Sequence, residues 1–182
     1  TFDITKDAAA GSYKLEPTVS DVYDTSFNSI TVSKSPGTLT AKKKDETPQT
    51  ASFHTEISKS QIDEGETFTY QVNSSDIGKL AGGDFIIVYD AEYLKAESVS
   101  AGKALQAENA VCSVNDKTAG RIKISCAGID AIDAPYGTTL AEVTFRGKAP
   151  SKGKTEIKFT AEGLTDVDLK AMTASACTDS IT

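Results

Sequence analysis

The feature that most constrains this chain is a series of short segments in which apolar and polar residues alternate with a period of two. Successive side chains of a β-strand point to opposite faces of a sheet, so such a segment buries one face and exposes the other to water. No stretch has the three- and four-residue apolar spacing of a long amphipathic helix. The sequence therefore predicts an all-β protein. The alternating positions predicted to face the core are Phe53, Thr55 and Ile57, Phe68, Tyr70 and Val72, Ile122 and Ile124, Val143 and Phe145, and Ile157 and Phe159.

One segment, Phe85-Ile86-Ile87-Val88-Tyr89, is apolar on both faces. This pattern predicts a central strand, or a strand whose outer face is covered. Turns containing Gly, Asp or Pro separate the strand-like segments at the spacing typical of a β-sandwich, as at Asp63-Glu64-Gly65 and Gly82-Gly83. A length of 182 residues is enough for one domain with an appendage.

Charge and hydropathy exclude two classes of partner. The formal net charge is -7, which opposes binding to nucleic acid, and the basic run Lys42-Lys43-Lys44 is followed at once by Asp45-Glu46, as in a solvated linker. No apolar run approaches the roughly 18 residues that a membrane-spanning helix requires. The chain begins inside a strand-like segment, Thr1–Ile4, without a signal peptide, and we expect it to be a mature or excised segment.

Two of the three cysteines are placed symmetrically around a polar turn. If a hairpin is centred near Ala119, Cys112 faces Cys126, and Val114 faces Ile124 on the same side. A disulfide between the two cysteines is then geometrically possible, and two buried free thiols fit the pattern as well. Cys177 has no obvious partner, and no cysteine spacing resembles a zinc site.

An internal repeat organises the chain. Gly11–Leu15 resembles Gly153–Ile157, and Ser20–Asp24 resembles Leu164–Asp168. The repeat also includes Thr1-Phe2 with Thr144-Phe145 and the final β-like stretches 30–40 and 171–182. Residues 1–41 are therefore predicted to be the last third of a domain whose complete copy is residues 51–182, with residues 42–50 as the linker.

Residues 1–41 cannot bury enough apolar surface to fold alone. They could pack against residues 51–182, or complete a sheet in another chain by strand addition or domain swapping. They could also be a loosely ordered leader cut from a longer array. The sequence leaves the three possibilities open.

Two acidic clusters offer oxygen ligands of the kind that calcium takes. One contains Asp21 and Asp24, and the other contains Asp166 and Asp168. Neither matches an EF-hand loop, and the alternative is that these residues form turns through their side chains. The more specific hypothesis is a calcium site between subunits, and calcium is the one cofactor that the sequence suggests.

Catalytic signatures are missing from the sequence. His54 is the only histidine and is expected to lie exposed on the polar face of a strand. No nucleophile elbow, zinc-protease, P-loop or dinucleotide-binding motif occurs. Asn73-Ser74-Ser75 matches a glycosylation sequon. The chain is therefore predicted not to be an enzyme.

The segment Gly82–Asp90, with Leu94 after it, resembles the characteristic strand of a cohesin domain. The resemblance extends to Phe53–Val72, Gly120–Gly128 and Thr139–Phe145, and residues 1–41 resemble the C-terminal third of the same family. It implies a jelly-roll β-sandwich of about nine strands, with an N-terminal β segment, in an extracellular bacterial scaffold protein.

The resemblance also implies a binding site. Cohesins bind a dockerin through one sheet face, and an Asp at the position of Asp84 helps to bind the dockerin helix. The predicted partner-binding residues are Asp84, Ile86 and Val88. A second acidic residue of the family would fall near Gly128, where this chain has none.

The predicted function is that of a non-catalytic, extracellular or cell-surface module that binds a dockerin-like protein. One alternative is a structural subunit that builds a filament or tube from copies of itself by strand exchange, with calcium. A carbohydrate-binding module is the second alternative, which the absence of Trp weakens because sugars stack on large flat rings.

Overall fold

A computed structural model describes residues 9, 11–41, 49–106, 110–148 and 154–182. The chain divides into two compact units, Thr1–Thr47 and Pro48–Thr182. Most of the predicted linker, residues 42–50, lies outside the described residues, as does the strand-like start at Thr1–Ile4. No helix within the described ranges is long and apolar enough to cross a membrane.

The described part of the first unit, residues 9 and 11–41, contains one antiparallel strand pair. Strand β1 (Gly11–Leu15) pairs with β2 (Gly37–Ala41), with Tyr13 opposite Leu39. The long connection between the strands forms a tight turn around Asp24. Large apolar side chains of this unit are exposed, including Tyr13 at 42%.

The residues of the second unit that the structure describes form a sandwich of two five-stranded sheets. The front sheet has the order β12-β10-β5-β8-β7 and the back sheet has the order β11-β3-β4-β9-β6. All neighbours are antiparallel except β11, which pairs with β3 in parallel. The bounds are β3 (Thr50–Ile57), β4 (Thr67–Asp76), β5 (Leu80–Tyr89), β6 (Leu94–Ala101), β7 (Ala110–Thr118), β8 (Arg121–Gly128), β9 (Thr139–Gly147), β10 (Thr155–Asp166), β11 (Thr173–Ala174) and β12 (Cys177–Ile181), with a short 3-10 helix at Lys103–Gln106.

The core lies between the two sheets and confirms the predicted alternation. Phe85 packs edge-on against Phe53, with the ring centroids 5.8 Å apart, and Phe159 packs edge-on against Phe53 at 5.3 Å. Such offset and edge-to-face contacts add to the free energy gained by burying the rings. The all-β sandwich predicted from the sequence is confirmed, with β5 as the central strand of the front sheet.

The cysteines Cys112 and Cys126 are opposite each other on β7 and β8, with their Cα atoms 4.3 Å apart, and they form a disulfide bond. Val114 is opposite Ile124 in the same register. Because β7 is the edge strand of the front sheet, the bond fixes this edge to its neighbour. Cys177 is not disulfide-bonded, and burial raises the pKa of its thiol.

The turn around Asp24 in the first unit is closed by its side chain. Asp24 Oδ1 accepts hydrogen bonds from the backbone N–H groups of Ser26 and Asn28, each at 2.8 Å. Phe27, between them, has a φ of 62°, in the left-handed region. Hydrogen bonds from Asn28 and Ser26 lower the pKa of Asp24.

The second unit contains the same turn 142 positions later, from 24 to 166. Asp166 Oδ1 accepts hydrogen bonds from the N–H groups of Asp168 and Lys170, each at 2.9 Å, and Leu169 has a φ of 59°. The sequence comparison matched Ser20–Asp24 with Leu164–Asp168, which is two residues out of register, because side chains alone do not reveal which Asp closes the turn.

The same offset relates the strand pairs on either side of the turn. In both units the residue before the closing Asp forms an isolated bridge, and the first strand pairs with the last strand in one common register. The corresponding pairs are Tyr23–Ser29 with Thr165–Ala171, and Tyr13–Leu39 with Thr155–Ile181.

Reducing the Cys112–Cys126 disulfide is expected to lower the free energy of unfolding of the sandwich by about 2–4 kcal/mol, because the bond closes a loop of intermediate length in the unfolded chain. The measurement is the urea midpoint with and without a thiol reductant. A Cys177→Ser variant should keep this response, and a Cys112→Ser/Cys126→Ser variant should lose it. Equal midpoints for the oxidised and reduced protein would contradict a stabilising bond.

Candidate functional site

The predicted binding residues lie on one surface, the outward side of the front sheet, which we call the front face. Phe85, at 1% exposure, points from β5 into the core, so the residues that alternate with it point outward. The outward positions of β5 are Asp84, Ile86 and Val88. The structure therefore brings all three residues together along the central strand of the sheet.

Glycines set the position of Asp84 on this strand. A Cβ added to Gly82 would lie 2.7 Å from the backbone oxygen of Cys126, and one added to Gly83 would overlap Leu164. Only residues without side chains let β5 pass this closely between β8 and β10. The Gly82-Gly83 pair that the sequence predicted as a turn is therefore part of β5 itself, where the pairing with β10 is irregular.

Asp84 is held as an anion by two neighbours on β8. Its Oδ1 accepts a hydrogen bond from Ser125 Oγ at 2.6 Å, and its Oδ2 lies 2.8 Å from Lys123 Nζ. The hydrogen bond from Lys123, followed by that from Ser125, lowers the pKa of Asp84 below its ordinary value of 3.8, against a smaller opposing effect of burial. The side chain keeps 32% of its surface exposed, so the charge is available to a partner.

The two apolar residues of the front face differ in exposure. Ile86 is 3% exposed and lies between Lys123 and Thr160 in the register of the sheet. Val88 is 44% exposed. Val88 is therefore the apolar side chain of this strand that a partner can bury.

Val88 lies between two cationic residues. Its cross-strand neighbours are Arg121 on β8 and Lys158 on β10. Lys158 Nζ lies 3.2 Å from Glu156 Oε2, in an exposed pair that contributes little to stability. On the front face, β5 thus has the exposed apolar Val88 between two cationic residues at one end and the Asp84 carboxylate, paired with Lys123, at the other.

Sequence reasoning missed one acidic residue of this face. Glu162 on β10 is exposed and lies directly opposite Asp84. The family's second acidic residue was expected near Gly128, and Gly128 is at the end of β8 opposite Ala110, without a carboxylate. The pairing of β10 with β5 joins residues far apart in the chain and is irregular after Glu162, so the sequence gives no signal for it.

The predicted metal ligands belong to two different units of the chain. Asp21, with a φ of 55°, and Asp24 belong to the first unit, and Asp166 and Asp168 belong to the second. The Asp24 and Asp166 carboxylates are occupied by backbone N–H groups, as the turn-forming alternative requires. Among the residues that the structure describes, no group of three or more His, Cys, Asp or Glu side chains could hold a metal ion. Calcium binding therefore stays a prediction.

His54 is less exposed than the sequence suggested. Its ring stacks on Tyr136 at a centroid distance of 5.1 Å, and its Nδ1 lies 2.9 Å from Ser75 Oγ. The nearby sequon residue Asn73 is 3% exposed, so its amide is not accessible for glycosylation in the folded protein. His54 and Asn73 are cross-strand neighbours on β3 and β4, within the back sheet.

Two comparisons with known proteins, one with family profiles and one with solved structures, find the same family. The family profile described as "Cohesin domain" matches residues 53–182. A comparison with curated protein sequences finds no significant match.

Solved structures of cohesins share the fold of this chain. A cohesin module from a family 33 glycoside hydrolase of Clostridium perfringens is 12% identical, with a TM-score of 0.59, and the match covers 75% of this chain and 97% of that one. The sixth cohesin of scaffoldin B from Acetivibrio cellulolyticus, solved in complex with a dockerin, is 20% identical, with a TM-score of 0.58 and coverage of 75% and 99%. A non-cellulosomal cohesin from the archaeon Archaeoglobus fulgidus is 20% identical, with a TM-score of 0.54 and coverage of 72% and 92%.

The profile match spans more than half of the chain, and the two five-stranded sheets carry the Asp84 strand at the centre of one of them. Cohesins are non-catalytic binding modules. This chain belongs to the cohesin family.

Proposed function

We propose that this protein is a scaffolding module that binds a dockerin-type protein on the front face. The observation that carries the proposal is the arrangement on β5, where the exposed Val88 lies on the same outward row as Asp84, a carboxylate fixed by Lys123 and Ser125. The cohesin of scaffoldin B from Acetivibrio cellulolyticus is a structure of this fold solved with a dockerin bound.

The front face has the anatomy of a specific protein interface. The exposed apolar side chain of Val88 supplies binding energy when water is excluded from it, and the charged residues around it select the partner and its orientation. The complementary partner has an apolar side chain opposite Val88 and hydrogen-bond donors opposite Asp84 and Glu162. Acidic or hydroxyl groups would face Arg121 and Lys158.

An extracellular or cell-surface location is part of the proposal. The Cys112–Cys126 disulfide supports it, because such bonds persist in oxidising compartments and are rare in the cytosol. The acidic net charge of -7 is compatible with a soluble scaffold outside the cell.

Calcium-dependent assembly of copies of this chain is the alternative function. Since the Asp24 and Asp166 carboxylates already accept backbone hydrogen bonds, we expect calcium to leave the mass in solution unchanged. Light scattering after gel filtration, with calcium and with a chelator, measures this. Growth to large species in calcium alone would favour the assembling subunit over the adaptor.

Val88→Asp is expected to weaken dockerin binding by at least about ten-fold, because it replaces the exposed apolar side chain that the partner buries with a charged one. Ser98→Asp is the matched control, since Ser98 is an exposed strand residue paired with Thr144 in the back sheet. Binding is measured by calorimetry against a panel of type I and type II dockerins, with thermal unfolding of each variant. Equal losses in both variants, or no binding by any dockerin of the panel, would contradict the proposed site.

Asp84→Asn is expected to weaken the same binding by about ten-fold while changing the free energy of unfolding by about 1 kcal/mol or less, since the Lys123 pair is partly exposed. The lowered pKa of Asp84 fixes the sign of the pH dependence. The carboxylate stays ionised at and above its ordinary pKa. Its contribution to binding is lost as the pH falls through the lower pKa of the folded protein.

The affinity of the native chain is therefore expected to keep its Asp84 contribution from about pH 7 down to about pH 4. The Asp84→Asn variant should lose the part of the acid dependence that lies below this range. An identical pH profile in the two proteins would show that Asp84 does not contact the partner.

A further inference from the structure

We infer that residues 11–41 are the closing strands of a second cohesin-like sandwich, and that their apolar side binds the body of that sandwich, a sheet pair with the pattern of β3–β9. The proposal is independent of the dockerin site on the front face. It concerns the first unit, whose strands and turn repeat the geometry of residues 155–181.

The repeat is a repeat of structure as well as of sequence. One offset of 142 positions relates the first strand, the Asp-closed turn and the last strand of the two segments. The left-handed residues Phe27 and Leu169 fall at the same step of the turn. A non-glycine residue with positive φ is uncommon, so its recurrence at the same step marks the same local fold.

The complete copy shows what should cover the partial one. In the sandwich, Ile157, Leu164 and Ile181 are each at most 2% exposed. Their equivalents in the first unit are Leu15, Val22 and Leu39, which are apolar as well and only partly buried. Two further equivalents of buried residues, Tyr13 and Ile30, are 42% and 45% exposed. The first unit thus has apolar residues at the positions that face the core in the sandwich, but they are more exposed to solvent than their equivalents there.

One pair of equivalent residues shows that an exposed apolar side chain in the first unit does not by itself indicate a missing partner. Phe27 is 86% exposed and its equivalent Leu169 is 84% exposed, although Leu169 belongs to a complete sandwich. The turn therefore exposes the residue at this position even in a complete sandwich. The apolar residues that indicate a missing partner are those whose equivalents in the sandwich are buried.

The pairing of β10 on both of its edges also supports the assignment of the first unit as closing strands. Strand β10 has β12 on one side and β5 on the other, whereas β1 pairs only with β2 among the described residues. The pairing of β10 with β5 begins at Ile157, whose equivalent is Leu15, so a strand equivalent to β5 would pair with the segment that starts at Leu15 and not with the rest of β1. Pro17 takes the place of Phe159 and lacks a backbone N–H, so this segment has one donor fewer than β10.

The occupant must be a different cohesin-like body from that of residues 50–147. In every copy of this chain, that body already has its closing position filled by β10, β11 and β12. A strand pair from another copy would have to displace them. A second body without its own closing strands is the partner that fits the exposed side of the first unit.

The experiment places a duplicate of residues 49–143 directly before Thr1 of the full chain, where Thr1-Phe2 matches Thr144-Phe145. Hydrogen exchange of peptides covering β1 and β2 is compared with that in the 182-residue chain. We expect protection to rise by at least about 100-fold, because the closing strands would join a cooperative unit. Light scattering should report a monomer for both proteins.

Two variants of the extended chain test where the contact lies. Leu39→Asp should abolish the gain in protection, since its equivalent Ile181 is buried, and Phe27→Asp should preserve it. A second extended chain, with residues 11–40 replaced by residues 153–182, shows that the added body folds when its own strands close it. If that chain gains protection and the first does not, the inference is wrong.

The 182-residue chain itself provides the other decisive outcomes. Strong protection of β1 and β2 in a dimer would make a second copy the occupant. Strong protection in a monomer would mean that the first unit packs within its own chain. Either result would overturn the inference.

Discussion

The sandwich depends on the inward row of β5. Phe85 contacts Phe53 and Phe159, so one side chain of the central strand of the front sheet packs against the back sheet and against its own neighbour. Because side chains alternate along a strand, the same row fixes the outward positions of Asp84, Ile86 and Val88. A shift of one residue in the pairing of β5 would bury the carboxylate and expose the phenylalanine. The core and the proposed binding face are therefore set by one register.

Local patterns in the sequence predicted the elements that depend on local physics. The alternating segments became strands, and the hairpin around Ala119 has Cys112 opposite Cys126, as its symmetry indicated. The Phe85–Tyr89 segment is central because both of its faces are apolar. These features depend on neighbouring residues and on short turns, which a sequence displays directly.

Features that depend on distant pairings were outside the reach of the sequence. Glu162 lies opposite Asp84 only because β10 pairs with β5, across an irregular register. The parallel contact of Thr173 with Thr50 likewise joins the last strands to the first strand of the sandwich. In the turns, the closing residues are Asp24 and Asp166, and the pattern of acids alone matched the two turns two positions out of register. Backbone hydrogen bonds, and not charge, distinguish the Asp that closes each turn.

The disulfide between β7 and β8 determines what a cut in the polypeptide between these strands would do. Lys117, near the end of β7, is exposed and lies where the pairing of β7 with β8 is irregular, and exposed polar residues next to a turn are the kind of segment that proteases cut. After a cut there, the edge strand would stay covalently attached to β8 through Cys112 and Cys126. The edge of the front face would then survive a break in the polypeptide, so that continuity of the backbone and integrity of the binding surface become separate properties.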